Sequence, residues 1–369
     1  MPAPTSRWTS ALALLTLGSF GCDASAPAAD ASPAADADPA TDASALTDAV
    51  VPLDASVPLD ASVPSDAARP DTGPIPGRER YPLEARFPEG GAFDPVEGAF
   101  YVGSLADGSV HRVDRATGVE TVLFEERAPG TWWTLGMHVD AARRRLFVCA
   151  MDDQREVTEE DPPYLGYVWE FDLSTGARAA VHDLSDAQAR ATCTDVTGTR
   201  DGTVYVTDRE HPNVYRIRDG VVELFASDDL LSGGVVGLNA ITPTPDEQAL
   251  LAAVFLRSRL VRIDLASRAV SDVEIDGSFS DLTPALSGSD GLAFLPDGRL
   301  LVAFTSQVTT VVATTADWRA ARTSSVDVAA GMTDVIVADG VPYLLNGQAL
   351  SFALGRDPEP FELVRFLAL

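Results

Sequence analysis

Residues 287–304 read SGSDGLAFLPDGRLLVAF. A carboxylate, Asp290, stands at the head of one apolar run, and Pro296-Asp297-Gly298 turns the chain into a second. Two short apolar runs joined by a Pro/Asp/Gly turn make a β-hairpin. A carboxylate at the mouth of a buried strand is costly unless something pairs with it, so Asp290 requires a partner.

The same unit recurs from residue 81 onward. Turns of the same kind occur at residues 94–98, 200–202 and 245–247. The apolar strands that follow begin at Phe100, Leu146, Val204, Leu250, Leu300 and Pro342. Residues 109–114, 168–172, 213–217 and 259–264 then read as charged edge strands, each followed by a poorly patterned tail. Period-two alternation broken by Gly, Pro and Asp is the signature of strands, and amphipathic helix patterns are scarce. Aligned on their turns, the units place one residue each before the first strand: Glu89, Leu135, Thr194, Asn239, Asp290 and Thr333. The spacings are 46, 59, 45, 51 and 43 residues. Six such units predict an all-β fold, a six-bladed β-propeller; a pair of β-sandwiches would not explain the fixed repeat.

In a propeller the innermost strand of every blade lines the central channel. Asp290 therefore shares a ring with Glu89, Asn239 and two threonine hydroxyls. Oxygens clustered around a cation carry no such penalty. Glu, Asn and Asp are hard donors that suit Ca²⁺, Mg²⁺ or Mn²⁺. Three protein ligands leave positions for water and substrate, and a nearby carboxylate can take a proton from that water. Such a constellation is a hydrolase site whose natural substrate is an ester or a lactone.

Pro88-Glu89-Gly90, Asn239 at the head of the fourth unit and Ser289-Asp290-Gly291 at the head of the fifth resemble the regucalcin/gluconolactonase/luciferin-regenerating enzyme (SMP-30-like) family. The resemblance runs over roughly residues 81–366. It implies Glu89, Asn239 and Asp290 as ligands of one divalent metal, Ca²⁺ foremost with Mg²⁺, Mn²⁺ or Zn²⁺ as alternatives. It also implies Asp290 as general base. By the same analogy Thr194 and Asp195 stand where substrate is contacted. The chain departs from the family pattern at Gly91, Ala240 and Thr194, where Pro, Gly and Asn are common, and at Thr192, where some of the family's sugar-lactone enzymes carry Arg. These departures bear on the substrate class more than on metal binding.

The rest of the chain frames this core. Arg7, an apolar stretch over residues 11–20 and then Gly21-Cys22 resemble a bacterial lipoprotein signal, with Cys22 as the lipidated residue. An ordinary secretory signal is the alternative, and either way the protein is expected to be exported. Residues 23–75 are Ala, Asp, Pro and Ser almost throughout, with a hexapeptide repeat starting at Val51, Val57 and Val63. Such a segment buries too little apolar area to offset its ordering entropy and reads as a disordered linker. The predicted organisation is thus signal 1–22, linker 23–75 and propeller 76–369.

The formal charge is −28, and the chain contains no Lys. That charge argues against a nucleic-acid partner and suits cations. The expected partners are a small lactone or ester, and a membrane only through the lipid; the expected state is a monomer. Cys149 and Cys193 either pair in an oxidising compartment or act as buried thiols. His138 reads as a packed residue. Trp132-Trp133 reads as a wall over the channel mouth or as blade packing. Asp195 and Asp334, each one residue past the ring, read as backbone acceptors at strand starts. Residues 152–163 form an acidic insertion, either a lid or a solvated loop. No phosphate-binding loop, nucleophile elbow or zinc motif is present. Two functions remain: a metal-dependent lactone or ester hydrolase, or a non-catalytic binding propeller with a structural metal.

Overall fold

A computed structural model describes residues 78–125, 132–152, 165–234, 236–281 and 288–367. The predicted signal sequence, Cys22, the linker and the acidic insertion from residue 153 onward lie outside them. The described residues form six antiparallel sheets arranged as the blades of a propeller. The inner strands are Gly91–Asp94, Trp132–Asp140, Val196–Gly198, Leu238–Pro243, Ser289–Phe294 and Met332–Ala338. Each neighbours the next, and the last returns to the first.

The second strand of each blade is nearly continuous apolar sequence because it is covered on both faces. Ala99–Val102, Ala249–Val254 and Leu300–Phe304 are buried at every position. All six second strands fall where the repeat places them. The charged third strands are not the edges, however. The poorly patterned tails form a fourth, outermost strand, as in Glu120–Phe124 and Val221–Ser227. Most of their residues are exposed or half-buried, so a two-residue alternation has little burial to reinforce it. Blade five carries a further strand, Glu274–Asp276, parallel to its outer strand.

The ring closes through the N-terminus of the folded region. Arg80–Pro82 pairs with Glu362–Arg365 and completes blade six as its outer strand. Tyr81 is fully buried there, edge-on to Phe100 and Tyr343, and its hydroxyl donates to the Arg115 carbonyl at 2.9 Å. Cys149, in the second strand of blade two, is disulfide-bonded to Cys193, which precedes the inner strand of blade three. Trp132 packs on Tyr167 and Trp169, and Trp133 meets Phe352 edge-on at 2% exposure, so both serve packing.

Candidate functional site

The residues predicted to form a ring occupy a special place in the ladders. In blades four, five and six the register between inner and second strands slips at Asn239-Ala240, Asp290 and Thr333. Blade two slips at Leu135-Gly136. A β-bulge leaves its extra residue unpaired and re-aims the side chain. Glu89 and Thr194 stand just ahead of their strands and need no bulge.

Asn239 and Asp290 meet directly: Asn239 Nδ2 donates to Asp290 Oδ1 at 2.5 Å. Glu89 lies close enough to Asp290 for their charges to interact. Burial pushes the Glu89 carboxyl well above the usual range, and the charges of Asp290, Asp334 and Asp195 add to the effect. Asp290 is likewise raised, first by burial and then by Asp195 and Asp281, against the hydrogen bond from Asn239. Arg209 opposes both shifts. The channel mouth thus concentrates negative charge among protein walls.

Of the two ring threonines, Thr333 is committed to structure, since its hydroxyl donates to the Pro88 carbonyl beside Glu89 at 3.1 Å. Thr194 Oγ1 is buried with no hydrogen-bond partner among the described residues. Leu135 contributes no oxygen and is packed into the core.

Asp195 and Asp334 act as rivets between blades. Asp195 accepts from the Val196 amide and, across to blade four, from the Ile241 amide, both at 2.8 Å. Asp334 accepts from Val335 at 2.7 Å and, across to blade one, from Gly91 at 2.9 Å. Each carboxylate also presses on the preceding blade. A Cβ at Gly136 would lie 2.0 Å from Asp195 Oδ1, and one at Gly291 would lie 2.2 Å from Asp334 Oδ1. Burial raises Asp195 to about 7, although the Ile241 and Val196 amides pull it down. Asp334 is raised well above its usual value by burial and then by Asp195.

Beside the ring lies a cavity of about 240 Å³, lined by Asp195, Asp334, His138, Thr197 and Thr242 among others. His138 stacks near Phe147, and burial lowers it to about 4, so it is neutral at physiological pH.

The sequence reads Asp195 and Asp334 as backbone acceptors at their own strand starts, and they are; it misses the bulges, the reach of both aspartates to a neighbouring blade, and Arg209. The bulges leave no local signature. The rivets do leave one: the residues after the ring column read Gly, Gly, Asp, Ala, Gly, Asp, which pairs each aspartate with a glycine in the blade before it. Arg209 follows a strand in an unremarkable loop, and nothing in its neighbours points it at the ring.

The donor set fits a hard divalent cation. It offers two carboxylates and an amide, and the crowded negative charge is what such an ion would neutralise. Among the described residues no three His, Cys, Asp or Glu side chains lie together as a metal-holding group; Glu89, Asn239 and Asp290 supply only two of those types.

No curated protein matches the chain. Among solved structures, the major Malassezia sympodialis allergen Mala s 1 superposes with a TM-score of 0.61 at 17% identity, covering 78% of this chain and 96% of that one. A calcium-binding protein, regucalcin, from Agrobacterium tumefaciens gives 0.51 at 17%, covering 78% and 94%. A gluconolactonase from Xanthomonas campestris gives 0.51 at 18%, covering 78% and 88%. At these identities the likeness speaks for the fold. The sequence model of the SMP-30/Gluconolactonase/LRE-like region matches residues 87–336, a span that holds all six ring positions from Glu89 to Thr333. With its propeller and its ring both inside that match, the chain belongs to the SMP-30/Gluconolactonase/LRE-like family.

Proposed function

We propose that this protein is a metal-dependent hydrolase of a lactone or ester, gluconolactonase-like in its chemistry. The observation that carries the reading is the meeting of Asn239 with Asp290 beside Glu89 at the channel mouth, in a field of excess negative charge. Glu89, Asn239 and Asp290 would hold one divalent ion, Ca²⁺ foremost. When bound, that ion supplies polarisation of the acyl carbonyl and a lowered pKa for water.

The chain's own residues do the rest. Asp290 accepts the proton of the attacking water as the water oxygen bonds to the acyl carbon. It returns that proton to the leaving alkoxide as the acyl–oxygen bond breaks, so a lactone opens to a hydroxy acid and an ester yields an acid and an alcohol. The amide of Asn239 holds Asp290 in place. Thr194, whose hydroxyl is buried and unpartnered, is the ring's remaining polar group for substrate. Asp195 meets substrate only through whichever lone pairs its two backbone hydrogen bonds leave open.

A second reading, a non-catalytic ligand- or protein-binding propeller with a structural metal, is favoured by that engagement of Asp195. A lactone and ester panel assayed with and without added Ca²⁺ separates the two. Metal-dependent turnover lost in Asp290→Asn supports the hydrolase. Metal binding without turnover of any member supports the binder.

Export and lipid anchoring at Cys22 belong to the same proposal. The Cys149–Cys193 disulfide supports an oxidising compartment. Incorporation of a labelled fatty acid that disappears in Cys22→Ala would establish the anchor. The proposed monomeric state is checked by light scattering on the purified chain.

A further inference from the structure

The stretch that brings Glu89 to the ring, Arg86-Phe87-Pro88-Glu89-Gly90, holds a strained backbone. Phe87 has a φ of 49°, in the left-handed region. For a bulky side chain that conformation is an outlier, because Cβ crowds the following carbonyl oxygen. The proline that follows adds to the strain, since the residue before a proline is pushed toward extended backbone. Such a conformation persists only where the surroundings over-determine it.

Here they do so twice over. The Arg86 carbonyl accepts from Ser104 Oγ at 2.9 Å, and the carbonyls of Phe87, Pro88 and Gly90 accept from the Leu105 amide, Thr333 Oγ1 and the Gly103 amide, each at 3.1 Å. Gly347 of blade six abuts the Pro88 carbonyl so closely that a Cβ there would lie 1.5 Å from its oxygen. The Phe87 side chain, 6% exposed, packs on Phe352 and Phe361 with ring centroids 5.1 and 5.0 Å away. Both of these aromatics belong to one excursion of blade six, which leaves the strand Val341–Asn346 and returns at Glu362–Arg365. Gln348 closes its base: Nε2 donates to the Glu359 carbonyl at 2.9 Å, and Oε1 accepts from the Glu359 amide at 2.8 Å. The short helix Ala349–Ala353 sets Phe352 against Phe87 and edge-on to Trp133 of blade two at 5.8 Å. The excursion therefore reaches from blade six past the head of blade one to blade two, and it bears on the residue two positions before Glu89.

We propose that Phe352 and the loop closed by Gln348 and Glu359 are a positioning device: they lock Phe87 in its left-handed conformation and so pre-set the direction in which the Glu89 side chain leaves the backbone. This rests on the reading of Glu89 as a metal ligand. The role is pre-organisation. A site whose ligand must first be repositioned binds more weakly, in proportion to the fraction of molecules already in place. Freed of its clamp, Phe87 relaxes toward the extended backbone that Pro88 favours, and Glu89 turns away with it.

The test compares the full-length protein with Phe352→Ala, Phe352→Leu and Gln348→Gly; the last keeps the positive φ of 57° at residue 348 and removes only the closure. Phe225→Ala, in the outermost strand of blade three, is the control for general destabilisation. Calorimetric Ca²⁺ Kd should rise about 10- to 100-fold in Phe352→Ala and in Gln348→Gly, the range for losing a group that orients a metal ligand. Phe352→Leu keeps the apolar contact and should stay within about threefold of the wild type. Phe225→Ala should lower the melting temperature and leave Ca²⁺ affinity unchanged. On the lactone panel, Phe352→Ala should need more Ca²⁺ for half-maximal turnover yet regain the wild-type kcat at saturation. In a crystal structure of metal-free Phe352→Ala, Phe87 should leave the left-handed region and Glu89 should move away from Asp290. An unmoved Phe87 in that crystal overturns the proposal, and so does an equal loss of Ca²⁺ affinity in Phe225→Ala. Should Phe352→Ala fail to fold, Gln348→Gly decides by the same readouts. Should the wild type bind Ca²⁺ without turnover, the hydrolase reading falls and Ca²⁺ affinity still judges the clamp. Should it bind no Ca²⁺, the metal reading falls and the metal-free crystals judge alone: a released Phe87 upholds the clamp, and an unmoved one overturns it.

Discussion

Asp290 is the residue on which the proposed chemistry turns. Replacing it with Asn keeps the shape and removes the proton acceptor. Turnover in Asp290→Asn should fall by at least about 100-fold in kcat. Calorimetry should show weaker Ca²⁺ binding in the same variant, because a ligand charge is lost. The rivet residues make a different prediction. Gly136→Ala would drive a Cβ to 2.0 Å from Asp195 Oδ1 and 2.6 Å from its Cα, which only backbone movement can relieve. Such overpacking costs about 1–3 kcal/mol, readable as a lowered denaturation midpoint in urea.

The buried carboxylates also give stability a pH dependence. Asp195 titrates near 3.8 when free and at about 7 in the folded protein. Between those values the folded state binds more protons than the unfolded state, so stability falls as pH rises through this window. Glu89, Asp290 and Asp334 are shifted in the same direction. The metal-free protein should therefore melt at a higher temperature at pH 5 than at pH 8. Added Ca²⁺ should narrow that gap, chiefly by raising the pH 8 value. A melting temperature that rises with pH in EDTA would contradict this account of the ring.

At the scale of elements, the bulge is the device that makes a site from a repeat. A regular ladder would point alternate residues of each inner strand into the spaces between blades. Slipping the register at Asn239 and Asp290 releases one residue from pairing and lets its side chain reach the axis. The hairpin turns that precede the second strands were legible in the sequence because Pro, Asp and Gly have intrinsic turn preferences. The bulges were not, because they follow from how neighbouring strands pack. The disulfide is a second element-scale device. It ties blade two to the start of blade three over a separation of 44 residues. In the chain-entropy account a loop of that length contributes about 4 kcal/mol. Cys149→Ser with Cys193→Ser should lower the unfolding free energy by about 2–4 kcal/mol, and reductant should no longer affect the melting curve.

For the whole molecule, closure decides stability. A propeller has two free ends, and here the three-residue strand Arg80–Pro82 joins them by pairing with Glu362–Arg365. Tyr81 is its anchor, fully buried among Phe100 and Tyr343. Glu120 secures the following turn by accepting from the amides of Glu84 and Ala85. Burial would raise the Glu120 carboxyl, but His111 and these two amides together hold it below its usual value. Tyr81→Ala should cost about 3 kcal/mol or more. It should also make the region before Glu84 the first site of proteolysis, since the strand would open before the blades do. Unchanged protease resistance in Tyr81→Ala would place the closure elsewhere.

The sequence by itself determined the number of blades, the place of every second strand and the one-residue column that lines the mouth. These follow from local rules: turn chemistry, two-residue alternation and a repeat length that one blade needs. It also singled out Glu89, Asn239 and Asp290. The tertiary structure decided which of these touch, what the tails become and which charges share a space. Asp334 and Gly91 lie 243 positions apart along the chain and meet only because the ring closes. Cys149 finds Cys193, Asp195 finds Ile241, and Arg209 comes within reach of Glu89 for the same reason. Contacts of that kind depend on the sum of six blade rotations, and no local pattern of residues carries that sum.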